Sequence, residues 1–207
     1  VEALVRWESK HLGDIRPDEF IHIAEESGFI NDLGLFVFEQ GCKDLPKLLE
    51  KYGASDLTIN VSTVQLMNED FPHKIEAILA KTEADPSKIG LELTETHIVK
   101  NIEQVEEILI QLKQLNLKIL IDDFGTGYSS LQYLQRLPID VIKIDKSFVH
   151  NLTATNQSII KAVVAISKSF GYQTVAEGIE TKEQELALRD LAVDYAQGFY
   201  FSRPEPL

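Results

Sequence analysis

The sequence predicts an α/β fold of parallel β/α units, of the barrel kind rather than the open-sheet kind. Three observations carry that expectation. Short apolar runs of strand length alternate with helix-compatible segments along the chain. Polar residues (Asn60, Glu92, Asp122, Asp123, Lys143, Asp145 and Glu177) fall within or at the carboxyl ends of successive strands. In a β/α barrel that end is the face where binding groups from different strands converge. Finally, 207 residues with 44% hydrophobic content suffice for one large core, so residues 1–207 are expected to form a single domain.

In chain order, Glu2 to Trp7 alternates as a strand, with Glu2, Leu4 and Arg6 on one face and Ala3, Val5 and Trp7 on the other. Gly13 to Pro17 reads as a turn. Pro17 suits the first position of a helix, Asp18 and Glu19 suit its electropositive first turn, and Ser27-Gly28 is a C-cap signature. From Asn31, an N-cap candidate, a second helix directs Leu35, Phe36, Phe38, Leu45 and Leu49 inward, with a bend expected near Pro46. Leu57 to Ser62 is a strand, Asp70 to Ala84 a helix, and Ile89 to Glu95 a strand carrying Glu92 and Thr94 opposite Leu91 and Leu93. An amphipathic helix over Ile102 to Leu115 leads into the central strand, Leu117 to Asp122. Val141 to Asp145 places Lys143 and Asp145 on one face. A helix over Gln157 to Phe170, a strand over Thr174 to Glu177, a helix over Lys182 to Leu191 and a short strand over Tyr195 to Gln197 complete the chain.

Charge and composition narrow the function. Asp and Glu number 33 against 20 Lys and Arg, a formal net charge of -13, which argues against nucleic-acid polymers and anionic membrane as electrostatic partners. An anionic substrate would need bound cations. The single cysteine, Cys42, cannot form an intrachain disulfide, which points to a reducing, cytoplasmic setting. No apolar run reaches bilayer-spanning length, so direct membrane insertion of this chain is not expected.

The central stretch is Ile119 to Leu131, where an apolar strand ends in Asp122 and Asp123 and is followed by the turn Gly125-Thr126-Gly127. Adjacent carboxylates repel unless solvated or joined by a cation. Buried strands should be continuously apolar, so an inward Glu92 or Lys143 is costly unless paired or metal-bound. All candidate ligands are oxygen donors, and His11, His22, His73, His97 and His150 show no zinc-type spacing. Such a set selects a hard ion, Mg²⁺ or Mn²⁺. There are donors enough for two ions, with Asp122 a natural bridge, an arrangement suited to phosphodiester hydrolysis. The same glycine turn begins like a dinucleotide-binding loop, with Asp145 near the distance of a ribose contact. However, Ser130 stands where the third glycine would be, and two acids before the loop would repel a pyrophosphate.

Several motifs together resemble the EAL domain family of cyclic di-GMP phosphodiesterases. They are Glu2-Ala3-Leu4 with Arg6, Asn60-Val61-Ser62, Glu92-Leu93-Thr94-Glu95, Asp122 to Leu131, Ile142 to Asp145, Ala176-Glu177-Gly178 and Gln197-Gly198. The resemblance covers essentially the whole chain. It implies a TIM-like (β/α) barrel, antiparallel at its first strand, and Mg²⁺- or Mn²⁺-dependent hydrolysis of cyclic di-GMP to linear pGpG. Carried over by position, it implies that Glu2, Asn60, Glu92 and Asp122 hold one ion and that Asp122, Asp123 and Glu177 hold the second. Lys143 would orient or activate the attacking water, with Asp145 close by. Glu95 would pin the loop containing Gly125, Thr126 and Gly127, and Leu4, Arg6 and Gln197 would lie at the substrate. A homodimer through that loop and the adjoining helix is also implied, and a catalytically silent cyclic di-GMP receptor is the alternative. Family members carry a further strand and helix before Glu-Ala-Leu, so an N-terminally incomplete domain of a longer protein is expected.

Overall fold

The computed structural model describes residues 1–95, 102–126 and 131–207. The chain divides into two compact units, Val1–Leu93 with Asn101–Lys118, and Thr94–Lys100 with Ile119–Leu207.

The first unit is built on parallel strands β1 (Glu2–Ala3), β4 (Leu57–Asn60) and β5 (Ile89–Thr94). β1 pairs with β4, and β4 pairs with β5, in a register that sets Asn60 beside Glu92. A separate antiparallel hairpin joins β2 (Trp7–Ser9) to β3 (Gly13–Ile15). The expected strand from Glu2 to Trp7 therefore breaks after Ala3, and the expected turn over Gly13 to Pro17 is largely strand. The helices are α1 (Pro17–Ser27), α2 (Ile30–Tyr52), α3 (Thr63–Leu66), α4 (Phe71–Thr82) and α5 (Ile102–Gln114). Pro17 opens α1, and Gly28, left-handed with φ 76°, closes it. α2 packs on β4 and α4 through a buried stripe of Phe38, Gly41, Cys42 and Leu45. Phe36, expected inward, is 65% exposed. Two steps of 100° separate it from Phe38 and turn it to the opposite side of the helix. Asn31 lies inside α2, whose N-cap is Phe29.

The second unit carries parallel strands β6 (Lys118–Phe124), β7 (Val141–Ile144), β8 (Gln173–Ala176) and β9 (Tyr195–Ala196), paired in chain order. β6 is apolar from Ile119 to Ile121 and β7 is apolar apart from Lys143, as strands covered on both faces should largely be. The helices are α6 (Leu131–Arg136), α7 (Lys146–His150), α8 (Ala154–Phe170) and α9 (Lys182–Asp190). Thr153 caps α8 by accepting from Asn156 N, and Thr181 with Gln184 forms a complete capping box on α9. Between Ile121 and Phe124 the register on β7 advances only from Ile142 to Ile144, so β6 carries a bulge at Asp122 and Asp123. No helix among the described residues is long and apolar enough to cross a membrane.

Candidate metal centre

In the first unit, three predicted ligands stand on neighbouring strands. Glu2 lies on β1, Asn60 ends β4, and Glu92, 2% exposed, lies on β5. Asn60 Nδ2 donates to Glu2 Oε1 at 2.8 Å. With its amide N–H₂ turned to a carboxylate, the oxygen Oδ1 is the atom that Asn60 offers to a cation. Val61 N donates to the carbonyl of Glu92 at 2.9 Å, which fixes the chain just beyond Asn60. Leu4 and Arg6 are exposed and follow β1 rather than lying within it, and Arg6 Nη1 donates to the carbonyl of Val5.

In the second unit the bulge decides the geometry. Plain two-residue alternation would send consecutive side chains to opposite faces. Asp123 instead takes a left-handed backbone, φ 55°. Asp122, Asp123 and Glu177 each offer an oxygen ligand atom within 4.8 Å of the others. Among them stands Lys143, 2% exposed, with Nζ 2.5 Å from Glu177 Oε1 and 3.3 Å from Asp122 Oδ1. The buried ammonium offsets part of a negative charge that would otherwise be prohibitive. Glu177 is placed by its backbone, whose N–H donates to the carbonyl of Ile144 at 3.1 Å.

Asp123, a member of this group, and Asp145, beside it, are shifted in opposite directions. Burial, then the charges of Asp122 and Asp145, push the Asp123 carboxyl above its ordinary range. Burial also works to raise Asp145, but hydrogen bonds, those from Ser147 first and then those with Asp123 and Lys146, together outweigh it and hold Asp145 below the ordinary range. Asp145 is not the last residue of a strand. It is the N-cap of α7, accepting from Ser147 N at 3.0 Å. Ser147 was missed in the sequence, although an Asp two residues before a Ser at a strand-to-helix junction is a legible capping signal.

Glu95, 2% exposed, accepts from Gly125 N through Oε2 at 3.0 Å, and Thr126 Oγ1 donates to the carbonyl of Asp123 at 2.8 Å. Gly125 has φ 94°, and a Cβ there would sit 3.2 Å from the ring of Phe148, a neighbour with no sequence signal. Gly127 lies outside the described residues. Exposed Gln197 exchanges backbone hydrogen bonds with Ala176 and Ile179 on either side of Glu177.

All these donors are carboxylate or amide oxygens, so the residues fit a hard divalent ion and disfavour Zn²⁺. The family model described as "EAL domain" matches residues 1–204. The chain belongs to the EAL domain family. This EAL domain is 40% identical over 208 residues to "Uncharacterized signaling protein" of Caulobacter vibrioides, covering 100% of the chain and 25% of that protein. It is 36% identical to "Cyclic di-GMP phosphodiesterase PdeR" of Escherichia coli, covering 100% of the chain and 32% of that protein. The solved structure "PaMucR Phosphodiesterase, c-di-GMP complex" matches it with a TM-score of 0.92 at 35% identity, over 99% of the EAL domain and 84% of that chain. The α/β, TIM-like fold class expected from the sequence is thereby shown. The EAL domain spans about a quarter to a third of the length of the two curated relatives.

Proposed function

We propose that this EAL domain hydrolyses cyclic di-GMP to linear pGpG with two bound Mg²⁺ or Mn²⁺ ions. The observation that carries the proposal is the convergence of Asp122, Asp123 and Glu177 within 4.8 Å beside a buried Lys143. These three carboxylates are the proposed ligands of one ion. Glu2, Asn60 and Glu92 are the proposed ligands of the other. When bound, the ions supply Lewis-acid stabilisation of charge on the phosphate oxygens and lower the pKa of a bound water.

The reaction adds one water across one P–O3′ bond. Its oxygen joins phosphorus, its hydroxyl proton ends on the departing 3′ oxygen, and the ring opens. Lys143 is the proposed donor that orients the water, because its ammonium is held in place by Glu177 and Asp122 and cannot swing away. Burial, then the charges of Asp122 and Asp145, raise the Asp123 carboxyl above its ordinary range, a repulsion that a bound cation would relieve. Leu4, Arg6 and Gln197 are the proposed substrate contacts, and their exposure leaves them accessible to a ligand. A homodimer and a cytoplasmic setting belong to the same proposal.

Product analysis tests it. Incubating the purified chain with cyclic di-GMP and Mg²⁺ or Mn²⁺ should yield pGpG, and removal of the ions with a chelator should stop it. Saturable binding of cyclic di-GMP with no pGpG would replace the enzyme with a receptor. Light scattering of the purified chain tests the dimer.

A further inference from the structure

Resting on the metal reading above, we infer that Glu25 is a positioning residue for Asn60. Glu25 lies in the last turn of α1, half-buried, where the negative end of the helix dipole disfavours an acid. Its Oε1 accepts from Ser62 Oγ at 2.6 Å. The Ser62 hydroxyl has one proton, and Glu25 takes it. Its Oγ accepts from Val64 N at 3.2 Å, and its backbone N–H donates to Gln65 Oε1 at 3.1 Å, which completes the capping box of α3. Ser62 follows Asn60 by two residues, and the intervening Val61 N is tied to the carbonyl of Glu92.

The segment carrying the Asn60 amide is thus held at three successive points. Two of them are backbone and capping bonds that many sequences could supply. The third is a side-chain bond to a carboxylate on another helix, charge-assisted and short. Glu25 does not touch the proposed ion. It fixes Ser62, Ser62 fixes the exit from β4, and that exit sets where Asn60 Oδ1 points. A partner bonded directly to a ligand changes metal affinity by about 10- to 100-fold, and Glu25, acting one link further out through Ser62, is expected at the lower end of that range.

The test is Mn²⁺ titration by calorimetry of Glu25→Ala, Glu25→Gln, Ser62→Ala and Asn60→Ala in the full chain, with thermal melts to verify folding. Two classes of Mn²⁺ site are expected in the wild type. Glu25→Ala should weaken one class about 10-fold and leave the other unmoved. Glu25→Gln, whose amide oxygen still accepts from Ser62, should restore most of the loss, and Ser62→Ala should weaken the same class as Asn60→Ala. If Asn60→Ala weakens one class while folded Glu25→Ala and Ser62→Ala both match the wild type, the positioning role is refuted and the ligand assignment stands. Equal weakening of both classes by Glu25→Ala would show a general structural role and also refute it. If Asn60→Ala itself binds Mn²⁺ like the wild type, the ligand assignment fails and the positioning role fails with it.

Discussion

Lys143 Nζ lies 2.5 Å from Glu177 Oε1, with Lys143 almost wholly withdrawn from solvent. Such a pair is held by mutual need. Removing one partner of a buried ion pair costs about 3–5 kcal/mol, because the other charge is left uncompensated. Lys143→Met keeps the volume and deletes the charge. Without divalent ions it should lose about 3 kcal/mol of stability, and Mn²⁺ should restore more stability to the variant than to the wild type. Turnover should fall about 100-fold or more even at saturating Mn²⁺. Urea melts with and without Mn²⁺, beside product analysis, check both halves.

Asp123 holds a left-handed backbone that costs a non-glycine residue about 1 kcal/mol or more. Asp123→Gly removes that strain and the repulsion from Asp122. The variant should be about 1 kcal/mol more stable than the wild type in chelator and should lose most Mn²⁺ affinity and turnover. A variant both less stable and fully active would overturn the strain and ligand assignments together.

The raised Asp123 pKa sets a pH dependence. The folded, metal-free protein binds this proton more tightly than the unfolded chain, so protonation favours folding. Stability should therefore fall as pH rises from the ordinary aspartate value through the raised one, and then level off. Asp123→Asn should lack that fall. Asp145 works in the opposite sense and lower window: its contribution is present above the ordinary aspartate value and is lost as pH drops through its lowered one. Urea midpoints of both proteins in chelator, from about pH 4 to 7, give the comparison.

Gly198 follows the exposed Gln197, and a Cβ there would lie 2.2 Å from both N and O of Ile179. Backbone cannot yield as a side-chain tip can. Gly198→Ala should cost about 3 kcal/mol and weaken Mn²⁺ binding, since Ile179 is two residues from Glu177. Denaturation and Mn²⁺ titration measure the two effects.

Two positions of the candidate site were legible in the sequence because they carry residue types that a buried strand rejects. Glu92 and Lys143 stand out against Ile and Leu neighbours, and both are buried as that contrast implies. α1 was legible through Pro17 and Gly28, which act locally. The hairpin of β2 and β3 was not, because three-residue strands such as Trp7-Glu8-Ser9 are too short to show alternation. Phe36 misled because hydrophobicity alone does not say which side of a helix faces inward. The left-handed turn at Asp123 was hidden for a different reason: two adjacent aspartates look the same whether the strand is regular or bulged. The same holds for Glu25, whose partner Ser62 is 37 residues away.

Cys42 is 1% exposed, and burial pushes its thiol up to about 11. At neutral pH it is therefore neither accessible nor ionised enough to react with maleimides or nitroxide reagents. A cysteine engineered at an exposed position such as Glu8 or Phe36 would then be the sole labelling point, and spectroscopic probes could follow this domain without first deleting a native thiol.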